Sequence, residues 1–135
     1  MPIILNAVLG EIDTKDIFGE IERFAQTYGA TTDRLLAGLE VLSARAARLD
    51  AIEAGLDMQI RKSAEISGEK TTEKKIKSAV ELAAVYQTAA AEVAAAESTV
   101  DRCKHALKTL DKKDRMLELL ARALIKELGV NARTQ

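Results

Sequence analysis

The chain has 135 residues, of which 47% are hydrophobic and 3% aromatic, and its 20 basic and 21 acidic side chains leave a net charge of −1. That length suits one small domain, which either buries a modest core or shares a larger one with copies of itself. Near-neutral charge and a pI near 5.9 exclude a globally basic nucleic-acid binder, so only the distribution of charge can carry that message.

Residues 1–10 carry Pro2 and an apolar stretch ending in Gly10, a pattern that reads as an extended arm rather than a helix. The run "IILNAVL" is too short to span a bilayer and lacks a basic leader, so neither a signal peptide nor a membrane segment is expected. The lone cysteine, Cys103, cannot close an internal disulfide and suits a reducing cytoplasm.

A short amphipathic helix is predicted over 13–28, where Ile17, Ile21, Phe24 and Tyr28 recur at steps of four, three and four. Gly29 would accept the left-handed conformation that closes it. "TTD" at 31–33 offers a threonine cap, with Asp33 near the positive end of the next helix. That helix is predicted over 33–66. Leu35, Leu39, Leu42, Ala46, Leu49, Leu56 and Ile60 hold a seven-residue repeat interrupted by Glu53. Ser67-Gly68 stops it.

The third helix is predicted over 72–128, with Thr72 as its cap and Glu73 in its first turn. Ala79, Tyr86, Val93, Val100, Leu107, Ala121 and Leu128 share one heptad position, with Asp114 the single misfit. Leu82, Ala89, Ala96, Cys103, Leu110, Leu117 and Leu124 fill the other. No glycine or proline interrupts 69–128, and the seam continues on both sides of Asp111 and Asp114, so one unbroken helix is expected. Gly129 supplies the stop, and 129–135 reads as a tail. Nine alanines between 79 and 96 would let the helix axes approach closely.

The expected fold is therefore all-α: a long antiparallel, coiled-coil-like hairpin with a short N-terminal helix and an apolar arm. Residues 11–128 form one helical domain. One thin hairpin rarely buries both faces of its helices, so a homo-oligomer is expected.

Charge is unevenly placed along the chain. Residues 1–60 carry a net −5, and 78–100 carry −3 with no cation at all. Between them, residues 61–77 hold Arg61, Lys62, Lys70, Lys74, Lys75 and Lys77 against three glutamates, a net of +3. Residues 101–115 hold six cations against three aspartates, again +3. In one copy such zones are ordinary solvated helix faces. Repeated around an oligomer, the 61–77 turn becomes a positive rim able to hold single-stranded nucleic acid by its phosphates. These six cations are the candidate nucleic-acid-binding residues. Phe18, Phe24, Tyr28 and Tyr86 are the only aromatics, and at least three read as core-facing, so base stacking is not expected to contribute.

Catalysis has little to stand on. His105 and Cys103 lie two apart on a helix and do not face each other. No phosphate loop, metal-ligand spacing or nucleophile elbow is present, so neither an enzyme nor a bound cofactor is expected.

Over residues 45–128 the order of parts resembles the UvsY-like recombination mediators of T-even phages. A basic helix end, "IRKSAE", is followed by a polar glycine-containing turn and a Lys/Glu-rich helix opening. "CKHALKTLDKKDRMLELL" at 103–120 is similar to that family's closing helix in its cysteine, Ala-Leu pair and basic–apolar alternation. The resemblance implies single-stranded DNA binding by the basic helix end, here Arg61 and Lys62. It also implies a ring-shaped homo-oligomer that helps load a recombinase onto DNA coated with single-strand-binding protein, in the host cytoplasm if the chain is phage-encoded. The acidic helix at 11–28 and the apolar arm depart from that pattern. Two other readings remain open. One is a structural or scaffold protein, such as a virion component, interlocking through its arm and long helix. The other is a protein-binding helical adaptor.

Overall fold

The computed structural model of the chain describes Asp13 and residues 15–134, with side chains through Gly129. The expected arm at 1–10 lies outside the described residues. Every regular element among the described residues is helical: α1 (Ile17–Ser67), α2 (Glu73–Leu82) and α3 (Ala84–Thr134). No helix among these residues is long and apolar enough to cross a membrane. The chain divides into two compact units, one made of residues up to Leu35 with Arg102 onward, the other of Leu36–Asp101.

The first unit contains the start of α1. The Asp16 carboxylate accepts from the Gly19 backbone N–H at 3.1 Å, capping the helix, and Glu20 stands in the first turn. Helix then continues through Gly29 without a stop, so the two helices expected over 13–28 and 33–66 are one. A glycine permits a helix to end, at a cost of roughly 1 kcal/mol when it does not, but cannot force it to. The threonines expected to cap instead turn back on the preceding turn. Thr31 Oγ1 donates to the Thr27 carbonyl at 2.8 Å, and Thr32 Oγ1 to that of Tyr28 at 2.9 Å. Of the amphipathic set, Ile17 is buried and Phe24 half-buried, while Ile21 and Tyr28 are exposed. Phe18 is exposed as well, so with Tyr86 half-buried two aromatics rather than three face the core.

The same unit holds the second part of α3. Leu117 is its most enclosed side chain, 2% exposed, and burial of that extent stabilises by about 1.5–3 kcal/mol. Leu107, Leu110, Ala121 and Leu124 are half-buried beside it. Asp114 occupies its heptad position but is exposed, and α3 passes through Asp111 and Asp114 unbroken. At the other end Gly129 does not stop the helix, whose backbone runs on to Thr134, so the expected tail is helical as far as it is described.

In the second unit, α1 and the start of α3 lie antiparallel. Residue numbers rise on one as they fall on the other, from Gly38 against Val100 to Arg45, whose Nη1 donates to the Glu92 carbonyl. Ala89, Ala96 and Val100 are each 3% exposed, so the small side chains of this seam are its most deeply packed part. A Cβ built on Gly38 would stand 3.4 Å from Val100 Cγ2, close van der Waals contact. Across the interface, Leu42, Ala46, Leu49, Ile52, Leu56 and Ile60 are only half-buried.

The turn between α1 and α2 forms as the residue types dictate. Gly68 adopts φ 71°, and its N–H donates to the Glu65 carbonyl while that of Glu69 reaches back to Ala64. These paired bonds close a Schellman motif that satisfies the last carbonyls of α1. Thr72 Oγ1 then accepts from the Lys75 N–H at 3.2 Å and opens α2.

The helix expected over 72–128 is broken at Ala83, which is extended at φ −65°, ψ 132°. No glycine or proline marks the place. The break follows from a mismatch of apolar phase. From Tyr86 onward the expected seam packs, but before the break the buried residues are Ile76 and Val80. Ala79 and Leu82, which continue the heptad backwards, are exposed, Leu82 by 75%. One straight helix cannot turn both sets inward, and the chain breaks where the phase changes.

Candidate nucleic-acid interface

The six candidate cations all belong to the second unit, around the α1–α2 turn, but they do not form one face. Arg61 is engaged by two carboxylates. Its Nε donates to Asp57 Oδ1 at 2.5 Å, one turn back on α1, and its Nη2 to Glu73 Oε2 at 2.6 Å on α2. The bond to Glu73, and next that to Asp57, raise the guanidinium pKa above its usual value, and Arg61 holds Glu73 below the usual carboxylate range.

The five lysines are exposed, and none makes an ion pair with the described residues. Four of them divide between the two flanks of α2. Lys70 and Lys75 line a groove with Ser63, Ser67, Thr71 and Gln59, where Glu69 is the one carboxylate. Lys74 and Lys77 line a separate groove with Glu53, Asp57, Glu73 and Glu81. Lys62 borders neither. An anion entering the first groove meets two ammonium groups and several hydroxyls against one carboxylate, whereas the second opposes it with four carboxylates.

This division comes from helix geometry. Lys75 and Ala79 lie on one side of the buried Ile76–Val80 face, and Glu73, Lys77 and Glu81 on the other. Counting charge along the sequence merged the two flanks. The hydroxyls carry no charge and escape such a count, although Ser63 and Ser67 stand four apart on α1 and so share its surface.

Elsewhere the described residues offer no metal site, Cys103 is half-buried on the α3 seam, and His105 is exposed. Comparisons with family models, with curated proteins and with solved structures find no match to the chain.

Proposed function

We propose that the protein binds single-stranded DNA through its phosphates, without sequence preference, and acts as a recombination mediator of the UvsY-like kind. The observation that carries this reading is the set of five exposed lysines around the turn that joins α1 to α2, none of them neutralised by an ion pair within the described chain. Exposed ammonium groups contribute little to the stability of a fold and suit phosphate neutralisation. Within the reading, the Lys70–Lys75 groove is the strand's seat, and Arg61 shapes the turn more than it contacts DNA.

The working form in this reading is a ring-shaped homo-oligomer that multiplies the charge of each turn. Large apolar side chains left uncovered support self-association, among them Leu36, Leu39 and Val41 on α1. Its further partners are a recombinase and a single-strand-binding protein, and its place of action is the cytoplasm. The same uncovered side chains favour the second reading, a scaffold protein whose helices interlock with copies of themselves.

Titration of a fluorescent oligothymidine at two salt concentrations, with light scattering on the same samples, separates the readings. A mediator binds at micromolar or lower concentration in low salt and releases the strand steeply as salt rises. Replacing Lys62, Lys70, Lys74 and Lys75 by alanine then weakens binding while helicity and particle mass stay as they were. Absence of wild-type binding at low salt rejects the mediator and leaves the scaffold.

A further inference from the structure

Along α3, within the first unit, one narrow sector of the exposed surface from 104 to 126 is almost all cationic. At 100° per residue, Lys104, Lys108, Lys112, Arg115, Leu119, Arg122 and Lys126 fall within a sector of roughly 80°. No other residue of that stretch falls there, so the sector holds six cations, one leucine and no carboxylate. All seven are exposed. Arg122 pairs with Glu118 at 2.6 Å, and the other five cations make no ion pair with the described residues. The sector lies opposite Cys103, Leu110, Leu117 and Leu124, the side that packs.

An outward helix face is ordinarily charged, but with both signs interspersed, because opposite charges four apart support the helix and like charges oppose it. Here Lys104–Lys108, Lys108–Lys112 and Arg122–Lys126 are like-charge pairs at that spacing, and Lys112–Arg115 at three. These pairs work against α3, and the carboxylates beside the sector, Asp111 and Glu118, offset them only along one edge. The aspartates that balance this region in a linear count, Asp111 and Asp114, project outside the sector.

We infer that this stripe is a second nucleic-acid contact, a track on which the phosphates of a single strand lie along α3. The inference rests on the single-strand-binding reading and assigns it residues outside the α1–α2 turn. The pattern fits a linear polyanion: successive cations four residues apart advance about 6 Å along the axis, and the stripe extends about 33 Å. A lipid surface fits poorly, because a helix lying on a bilayer needs its apolar face free, and Leu117 and its neighbours are already packed. The acidic row Asp50, Glu53 and Asp57 of another copy also fits poorly, since it would cover only about 11 Å of that length and Asp57 is held by Arg61.

The test is a triple variant of the full chain, Lys104→Gln with Lys108→Gln and Lys112→Gln, titrated with fluorescent oligothymidine across a salt series. Circular dichroism and light scattering check its helicity and mass. Each phosphate contact contributes about 0.7 to the slope of log affinity on log salt for a single strand, so losing three lowers the slope by about 2. The expected result is that drop, with affinity at least about tenfold weaker at low salt and mass unchanged. Wild-type binding with the affinity and slope of the variant unaltered overturns the stripe while leaving the single-strand-binding reading intact. No wild-type binding at all overturns both. A variant that changes particle mass but not oligonucleotide affinity also overturns the inference and assigns the stripe to contact between copies. Stripe-dependent binding to phosphatidylserine vesicles without oligonucleotide binding overturns it in favour of a membrane surface.

Discussion

Arg61 and Glu73 join the end of α1 to the start of α2 through one charge-assisted bond of 2.6 Å, while the same guanidinium holds Asp57. Two of its five donors are used, through Nε and Nη2, and both partners are carboxylates, so the charge Arg61 could offer a phosphate is already compensated. Arg61→Gln is therefore expected to change oligonucleotide affinity by no more than about twofold, whereas Lys70→Gln with Lys75→Gln weakens it clearly. Parallel titrations of the two variants check this ordering. A larger loss for Arg61→Gln would return the guanidinium to the DNA-contacting role that the resemblance implies.

Glu20 is the most enclosed carboxylate described, 8% exposed. It accepts from the Asp13 backbone N–H at 3.1 Å and from Arg23 at 3.0 Å, with Lys113 Nζ at 3.7 Å. The Asp13 bond, then the Arg23 bond, hold its pKa below the usual range against the opposing effect of burial. A lowered folded-state pKa adds stability in full above the unfolded value, ~4.3, and loses it as pH falls through the folded one. Urea unfolding at neutral pH and near pH 3 is expected to show Glu20→Gln less stable than wild type by about 1 kcal/mol at neutral pH, with the gap closing in acid.

The break at Ala83 makes Ala84 the first residue of α3, where a missing N–H costs nothing and a fixed φ is suitable. Ala83 already has the extended ψ that a following proline prefers. Ala84→Pro should therefore leave helicity and melting temperature almost unchanged. In an unbroken helix the same substitution would cost about 3 kcal/mol, so a thermal melt distinguishes the two geometries.

Gly55 lies inside α1, and a Cβ there would meet nothing within 4 Å. Gly55→Ala is expected to stabilise by about 0.5–1 kcal/mol. Gly68 also has open space, but at φ 71° alanine is strained, and Gly68→Ala should destabilise by about 1 kcal/mol. Chemical denaturation of both variants checks the opposite signs.

What the sequence shows of this molecule depends on whether a local signal compels or merely permits. The seam from Tyr86 to Leu124 and the Ser67-Gly68 and Thr72 signals could all be read, because periodicity, positive φ and capping act locally. Gly29 and Gly129 misled, since a glycine allows a stop that the flanking residues need not take. The break at Ala83 was hidden because its cause is a conflict between two apolar sets, Ile76–Val80 and the heptad from Tyr86. At the candidate site the concentration of cations near the turn was visible. Their separation into flanks was not, since linear counting assigns neighbouring charges to one surface whichever way they project.

The ten-residue α2 carries Lys74, Lys75 and Lys77 and is seated by two side chains, Ile76 and Val80. It is bounded by a glycine turn on one side and a single extended alanine on the other. A pull on its lysines would thus be resisted by those two anchors and the Arg61 strut, and by little of the long seam beyond Ala83. The cations ride on a short lever whose aim can be retuned by changing two apolar residues, without rebuilding the helices that carry it.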